Sequence, residues 1–112
     1  MKSLEIGSLL DFYAPMLTQK QRLMLELYHN RDYSLSEIAT SEHISRQAVM
    51  DTLQRGERML ASLESKLGLL EKYRLFQRIV DECIELNRAQ KYDDLKKCLE
   101  SLSHIWEDDH GI

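Results

Sequence analysis

Apolar residues recur every three or four positions along most of the chain, which is the spacing that places them on one face of an α-helix. One such segment begins at Thr18 and Gln21, whose spacing is that of a capping box at a helix start. A second capping-box pair, Ser34 and Glu37, opens a shorter segment. No stretch alternates apolar and polar residues as a half-buried strand does. The pattern therefore predicts an all-α fold, with the first helix interrupted at Pro15.

The stretch SLSEIATSEHISRQAVMDTLQR, residues 34–55, has the pattern of two short helices joined by a tight turn. The turn requires a residue that tolerates positive φ, and His43 stands where glycine is common. Glu42 stands where an apolar residue is frequent, and Ser45 is a suitable N-cap for the second helix. The pattern predicts a helix-turn-helix whose packed core consists of Ile38, Ala39, Ile44, Val49 and Leu53.

The second helix of this motif presents a polar face to the outside. In a helix-turn-helix protein that binds DNA, residues near the start of this helix contact base edges in the major groove. Gln47 can hydrogen-bond to adenine, and Arg46 can hydrogen-bond to guanine or to phosphate. Met50 can make an apolar contact with a thymine methyl group. A packed pair of helices with a solvated polar face gives the same periodicity, so both interpretations stay open. The candidate nucleic-acid-binding residues are Ser45, Arg46, Gln47, Met50, Gln54, Arg55 and Arg58.

The apolar pattern in the second half of the chain predicts long amphipathic helices. An apolar seam continues the second helix of the motif through Leu60, Leu63 and Leu67 to a C-cap or kink at Gly68. Further helices are predicted from about residue 71 to 88 and from the nineties to residue 106. We expect a DNA-binding-like domain over residues 1–62 and a helical extension over residues 63–112. This extension either packs within the chain or forms a homodimer through an apolar stripe that Ile79 and Ile84 widen. The stripe consists of Tyr73, Phe76, Val80 and Cys83.

The charge of the chain limits the nucleic-acid hypothesis. The formal net charge is −4 at pH 7, and neither half of the chain is basic. Proteins dedicated to nucleic acids usually carry a basic surface, so affinity would have to come from a local cluster or from pairing two copies. Asp51 lies on the same polar face of the second helix. It could accept a hydrogen bond from cytosine, but it also repels phosphates. A protein- or RNA-binding adaptor built on the same scaffold is therefore the alternative.

No constellation of residues points to catalysis. No short spacing of zinc ligands is present among Cys83, Cys98, His104 and His110. His29 and His43 lie beside turns without a nearby nucleophile in a suggestive setting, so we expect surface or capping roles for them. Cys83 and Cys98 fall on apolar helix faces, which indicates packing. We expect no enzyme activity, metal, cofactor or small-molecule substrate, no signal peptide or membrane span, and a cytoplasmic setting.

The stretch LTQKQRLMLELYHNRDYSLSEIATSEHISRQAVMDTLQR resembles the C-terminal helix-turn-helix region, region 4, of bacterial sigma factors. This resemblance covers about residues 17–60. A wider resemblance takes in LEIGSLLDFYAPMLTQKQRLMLELYHNRDYSLSEIA, ISRQAVMDTLQRGERML and LESKLGLLEKY. These segments look like the YlxM-like family of small bacterial helix-turn-helix proteins. Genes of that family lie beside those of the signal recognition particle GTPase and its receptor.

The resemblance implies a helix-turn-helix bundle without a winged-helix sheet, followed by long amphipathic helices. Carried over by position, Ser45, Arg46, Gln47, Ala48 and Val49 match the start of the family's recognition helix. The resemblance also implies a regulatory or accessory role in protein targeting. Taken with the residues above, the expected partners are DNA, RNA or signal recognition particle components. The chain has no candidate region for melting a promoter, so the resemblance does not imply a sigma factor.

Overall fold

The computed structural model describes residues 4–107, with Leu4 described by its backbone alone. Every regular element within this range is helical, so the all-α prediction is confirmed. The elements in chain order are helix α1 (Leu4–Tyr13), a 3-10 turn (Ala14–Met16), helix α2 (Gln19–Leu25), a π-helical turn (Glu26–Asn30), helix α3 (Leu35–Glu42), helix α4 (Arg46–Leu67), helix α5 (Leu69–Arg88) and helix α6 (Tyr92–Leu102).

The helix starts follow from local side-chain chemistry. The backbone N–H of Gln21 donates to the Thr18 hydroxyl at 3.1 Å, and the Gln21 side chain accepts from the Thr18 backbone N–H. Ser34 and Glu37 form the same reciprocal pair at the start of α3. Each pair satisfies backbone N–H groups that the first helical turn leaves without partners. Both predicted capping boxes are confirmed.

Two helices end at a residue in the left-handed region of backbone conformation. α4 ends at Gly68, which has a φ of 63°, so the predicted C-cap is confirmed. α3 ends at His43, which has a φ of 58°. The last helix is shorter than predicted, because α6 ends at Leu102 and residues 103–106 form turns.

The chain divides after Gly68 into two compact units. The division falls later than the predicted boundary at residue 62, because α4 continues without a break to Leu67. In the first unit, α4 is the central element, and α1, α2 and α3 all pack against it. In the second unit, α5 and α6 pack against each other.

The core of the first unit forms around one side of α4. Its fully buried side chains are Tyr13, Met24, Leu25, Ile38, Val49 and Leu60. The Tyr13 hydroxyl donates to Glu64 Oε1 at 2.6 Å and so ties α1 to α4. The predicted apolar seam of α4 holds as far as Leu60, but Leu63 is only half-buried and Leu67 is exposed. The seam is therefore shorter than the sequence predicted.

Candidate nucleic-acid interface

α3, the turn and the start of α4 have the geometry of a helix-turn-helix. The carbonyl oxygen of Ala39 accepts from the backbone N–H groups of both His43 and Ile44, which closes α3 into the turn. The positive φ of His43 then redirects the chain within a single residue. Ser45 begins α4, and its hydroxyl accepts from the Ala48 backbone N–H at 3.0 Å.

The predicted core residues of the motif lie where the two helices cross. Ile38 and Val49 are fully buried, and Ala39 and Leu53 are nearly so. Ile44 is half-buried and follows His43 in the turn. A side chain larger than that of Ala39 would push the two helices apart. The turn thus holds the start of α4 in one orientation relative to α3.

The residues predicted to bind nucleic acid all lie on the solvent side of α4 or, for Ser45, at its N-cap. The first four exposed positions fall within the first two turns, and the other three extend the strip toward the middle of the helix. At 1.5 Å per residue the strip is about 20 Å long, which suits a helix lying in a major groove. These exposed side chains, called the reading strip below, are Ser45, Arg46, Gln47, Met50, Gln54, Arg55 and Arg58.

An exposed side-chain hydrogen bond organises the centre of this strip. Gln47 Nε2 donates to Asp51 Oδ1 at 3.0 Å, across one helical turn. The bond fixes which end of the Gln47 amide points toward Asp51, and it leaves Oε1 and one N–H for another partner. Asp51 therefore orients Gln47 while it places one negative charge among three exposed arginines.

His29 has a structural role that the sequence interpretation missed. Its side chain is 0% exposed, and Nε2 lies 2.8 Å from Glu57 Oε2 on α4. The expectation of a surface or capping residue is therefore wrong for His29, whereas His43 is exposed and caps α3. The π-helical turn that carries His29 adds a residue to the turn and so changes which side chains face α4. No local sequence signal marks such a turn.

The residues predicted for a partner face do not all lie on one open surface. Tyr73 is 44% exposed and Phe76 is 41% exposed, while Val80 is half-buried. Cys83 is buried, so it cannot belong to an exposed face of α5. Ile84, at the next position, is 51% exposed and continues the apolar strip. The sequence pattern placed both residues on a wide apolar side but could not tell which one α6 covers.

The described residues carry few other candidate sites. None of the helices within residues 4–107 is both long enough and apolar enough to cross a membrane. Among the same residues, no group of three or more His, Cys, Asp or Glu side chains could hold a metal ion.

These features define a helix-turn-helix protein. Residues 1–105 match the family described as "Putative helix-turn-helix protein, YlxM / p13 like". The chain belongs to this family, as its resemblance in sequence predicted. It is 43% identical to a UPF0122 protein of Lacticaseibacillus casei over 83% of this chain and 82% of the relative. It is 39% identical to a UPF0122 protein of Bacillus thuringiensis over 93% of this chain and 96% of the relative.

Proposed function

We propose that this chain binds duplex DNA through the exposed strip of α4 and acts as a regulatory protein. The observation that carries the proposal is the placement of Arg46, Gln47 and Met50 on the first two turns of a helix held by helix-turn-helix geometry. Those turns enter the major groove in proteins of this class, and their side chains offer guanine, adenine and thymine contacts. Arg55 and Arg58 lie farther along the helix, where contacts with phosphates are expected.

Selection from a random duplex library at low salt tests this proposal. Because phosphate contacts contribute most of the affinity and weaken as salt rises, low ionic strength favours recovery of a weak binder. We expect one enriched sequence, and we expect the logarithm of its affinity to fall linearly with the logarithm of the salt concentration. A library with no enriched sequence after several rounds would count against DNA binding.

The Asp51→Asn variant separates two effects of Asp51, which are that it repels phosphates and that it orients Gln47. Loss of its negative charge should raise affinity for random duplex by roughly fivefold at low salt, since a like charge near phosphate costs on the order of 1 kcal/mol. The amide can either donate or accept, so Gln47 is held less firmly and sequence preference should fall. Fluorescence anisotropy with random and selected duplexes measures both effects. Asp81→Asn, at an exposed position of α5, is the charge-matched control and should change neither.

A protein- or RNA-binding adaptor is the second candidate function. Asp51 beside the exposed arginines and the net charge of −4 favour a protein partner in particular, because both oppose binding to a polyanion such as DNA or RNA. In a competition experiment, structured RNA would then displace duplex DNA, or neither nucleic acid would bind while a protein partner did. Preferential retention of duplex DNA would exclude this alternative.

Family membership supports a further part of the proposal. We place the regulatory role in the signal recognition particle pathway of the cytoplasm, as the resemblance to the YlxM-like family implies. Deleting the gene should then change the output of protein targeting, and the Arg46→Ala, Gln47→Ala variant should fail to restore it. Restoration by that variant would show that the role in the pathway does not depend on the reading strip.

Self-association is part of the same proposal. Phe76 and Ile84 expose apolar surface on α5, and a dimer would double the small set of arginines available to phosphates. Two recognition helices about 34 Å apart would fit successive turns of DNA. Sedimentation at tens of micromolar should show a dimer, and Phe76→Glu should yield a monomer. Arg78→Glu, also exposed on α5, should remain dimeric. A monomeric wild-type chain would contradict the dimer without affecting the reading strip.

A further inference from the structure

Two cysteines meet where α5 and α6 pack together. The Cys98 thiol on α6 donates a hydrogen bond to the carbonyl oxygen of Ile79 on α5, with Sγ and the oxygen 3.6 Å apart. Ile79 lies one helical turn before Cys83. Side chains in a helix lean toward its N-terminus, so the Cys83 thiol lies over the turn that contains Ile79. This placement brings the Cys83 side chain to the part of α5 that Cys98 contacts, and the hydrogen-bonding contact between the two thiols agrees with it.

The acid–base properties of Cys98 agree with this placement. A hydrogen-bonding contact with Cys83, followed by burial, raises the pKa of the Cys98 thiol to about 11. The charges of Cys83 and Glu82 add to the same shift. Neither cysteine is in a disulfide bond in the structure. The pair therefore consists of two free thiols that contact each other.

One of the two thiols can be reached from solvent. Cys83 is buried, whereas Cys98 is half-buried and borders an open cleft between α5 and α6. A small molecule that enters the cleft meets Cys98 first and finds Cys83 behind it. The charged and polar side chains that line this cleft with Cys98 are Glu82, Asp94, Lys97 and Ser101.

We propose that Cys83 and Cys98 form an oxidisable dithiol that hydroperoxides convert into an intrachain disulfide between α5 and α6. In the first step the Cys98 thiolate attacks the hydroperoxide, which gives a sulfenic acid and releases water or an alcohol. In the second step Cys83 attacks the sulfenic sulfur, the disulfide bond forms, and one water leaves. Two electrons pass from the two thiols to the hydroperoxide, and no other reactant is needed.

The disulfide locks α5 onto α6. It closes a short loop that contains the connection between the two helices, so it removes conformations from the unfolded chain. We expect the melting temperature of the second unit to rise by several degrees upon oxidation. We also expect the reading strip on α4 to keep its DNA affinity, because the dithiol lies wholly within the second unit. This inference therefore does not depend on the proposed function.

The rate of oxidation gives a distinctive pH profile. The thiolate is the reacting form, and the pKa of Cys98 is raised, so the thiolate fraction is small near neutrality. Below that pKa the fraction grows about tenfold per pH unit, and the initial rate should follow it from pH 7 to 9. An ordinary exposed thiol, with a pKa near 8.5, would approach a plateau at the upper end of this range.

Hydrogen peroxide in excess, followed by alkylation of the remaining thiols and intact mass measurement, tests the proposal. We expect a monomeric chain that takes up no alkylating reagent and gains about 2 Da upon reduction of the disulfide, whatever oxygen its exposed methionines have taken up, and reduction should restore two reactive thiols. Peptide mapping should join the peptide that contains Cys83 to the one that contains Cys98. The Cys83→Ser and Cys98→Ser variants should not gain this mass, and far-UV circular dichroism checks that both fold.

Three outcomes would overturn the proposal, and each can be seen on the wild-type chain alone. The first is separate oxygen addition at each cysteine without a linked peptide. The second is a disulfide between two chains at low protein concentration. The third is retention of both free thiols after prolonged exposure at pH 9. A linked peptide without any rise in melting temperature would contradict the locking of α5 onto α6.

Discussion

Replacing Arg46 and Gln47 together with alanine should lower affinity for the selected DNA sequence by about 100-fold or more. Each side chain is expected to make one bidentate base contact worth about 1–3 kcal/mol, and about 1.4 kcal/mol corresponds to a tenfold change. Affinity for random duplex should fall much less, because only one positive charge is lost. Fluorescence anisotropy against the selected and random duplexes measures the ratio of the two affinities.

The chain itself offers a matched control for this variant. Gln77 and Arg78 are adjacent and exposed on α5, so Gln77→Ala with Arg78→Ala makes the same chemical change in the second unit. We expect this control to keep its preference for the selected sequence. Far-UV circular dichroism should show unchanged helicity for both variants, since alanine favours helix. Equal loss of affinity in the two variants would mean that general charge, rather than the reading strip, accounts for binding.

Gly56→Ala should destabilise the first unit by about 1–2 kcal/mol, although alanine usually stabilises a helix relative to glycine by about 1 kcal/mol. Gly56 is buried on α4, where a Cβ atom would lie 2.6 Å from Leu25 Cδ1 and 3.3 Å from Leu25 Cγ. Leu25 is fully buried, so it cannot move aside without disturbing the core. Chemical denaturation monitored by circular dichroism measures the loss.

Gly7→Ala is the control for this prediction, because it makes the same substitution in another helix. A Cβ atom at Gly7 would lie 2.9 Å from Asn30 Oδ1, the end of an exposed and flexible side chain. We expect Asn30 to give way, so the unfolding free energy should stay the same or rise by up to about 1 kcal/mol. If both variants gain stability, α2 and α4 do not pack as closely at Gly56 as the structure shows.

The predictable parts of this fold are those that depend on near neighbours in sequence. Ser34 and Glu37 are three residues apart, and their capping box requires no information from elsewhere in the chain. Ser45 caps α4 for the same reason, and His43 adopts the positive φ that its place in the motif requires. Helical periodicity then places Arg46 and the rest of the strip on the solvent side of α4.

The parts that sequence could not predict depend on contacts between distant residues. The side chain of His29 is buried because a π-helical turn directs it toward Glu57 on α4, and the sequence carries no sign of that turn. The sequence alone marks Gly56 only as a residue that weakens a helix, and the close contact with Leu25 appears only in the structure. On α5, periodicity marks a wide apolar side, and only the position of α6 decides that Cys83 is covered while Ile84 is exposed.

The exposed strip on α4 is the surface that we propose binds DNA. Backbone amide resonances of isotopically labelled protein, titrated with the selected duplex, test this proposal most directly. We expect the largest shifts on residues 45–58, with smaller shifts near α3 and few in residues 69–107. Shifts concentrated in α5 and α6, or no shifts in residues 45–58 at saturating duplex, would contradict it.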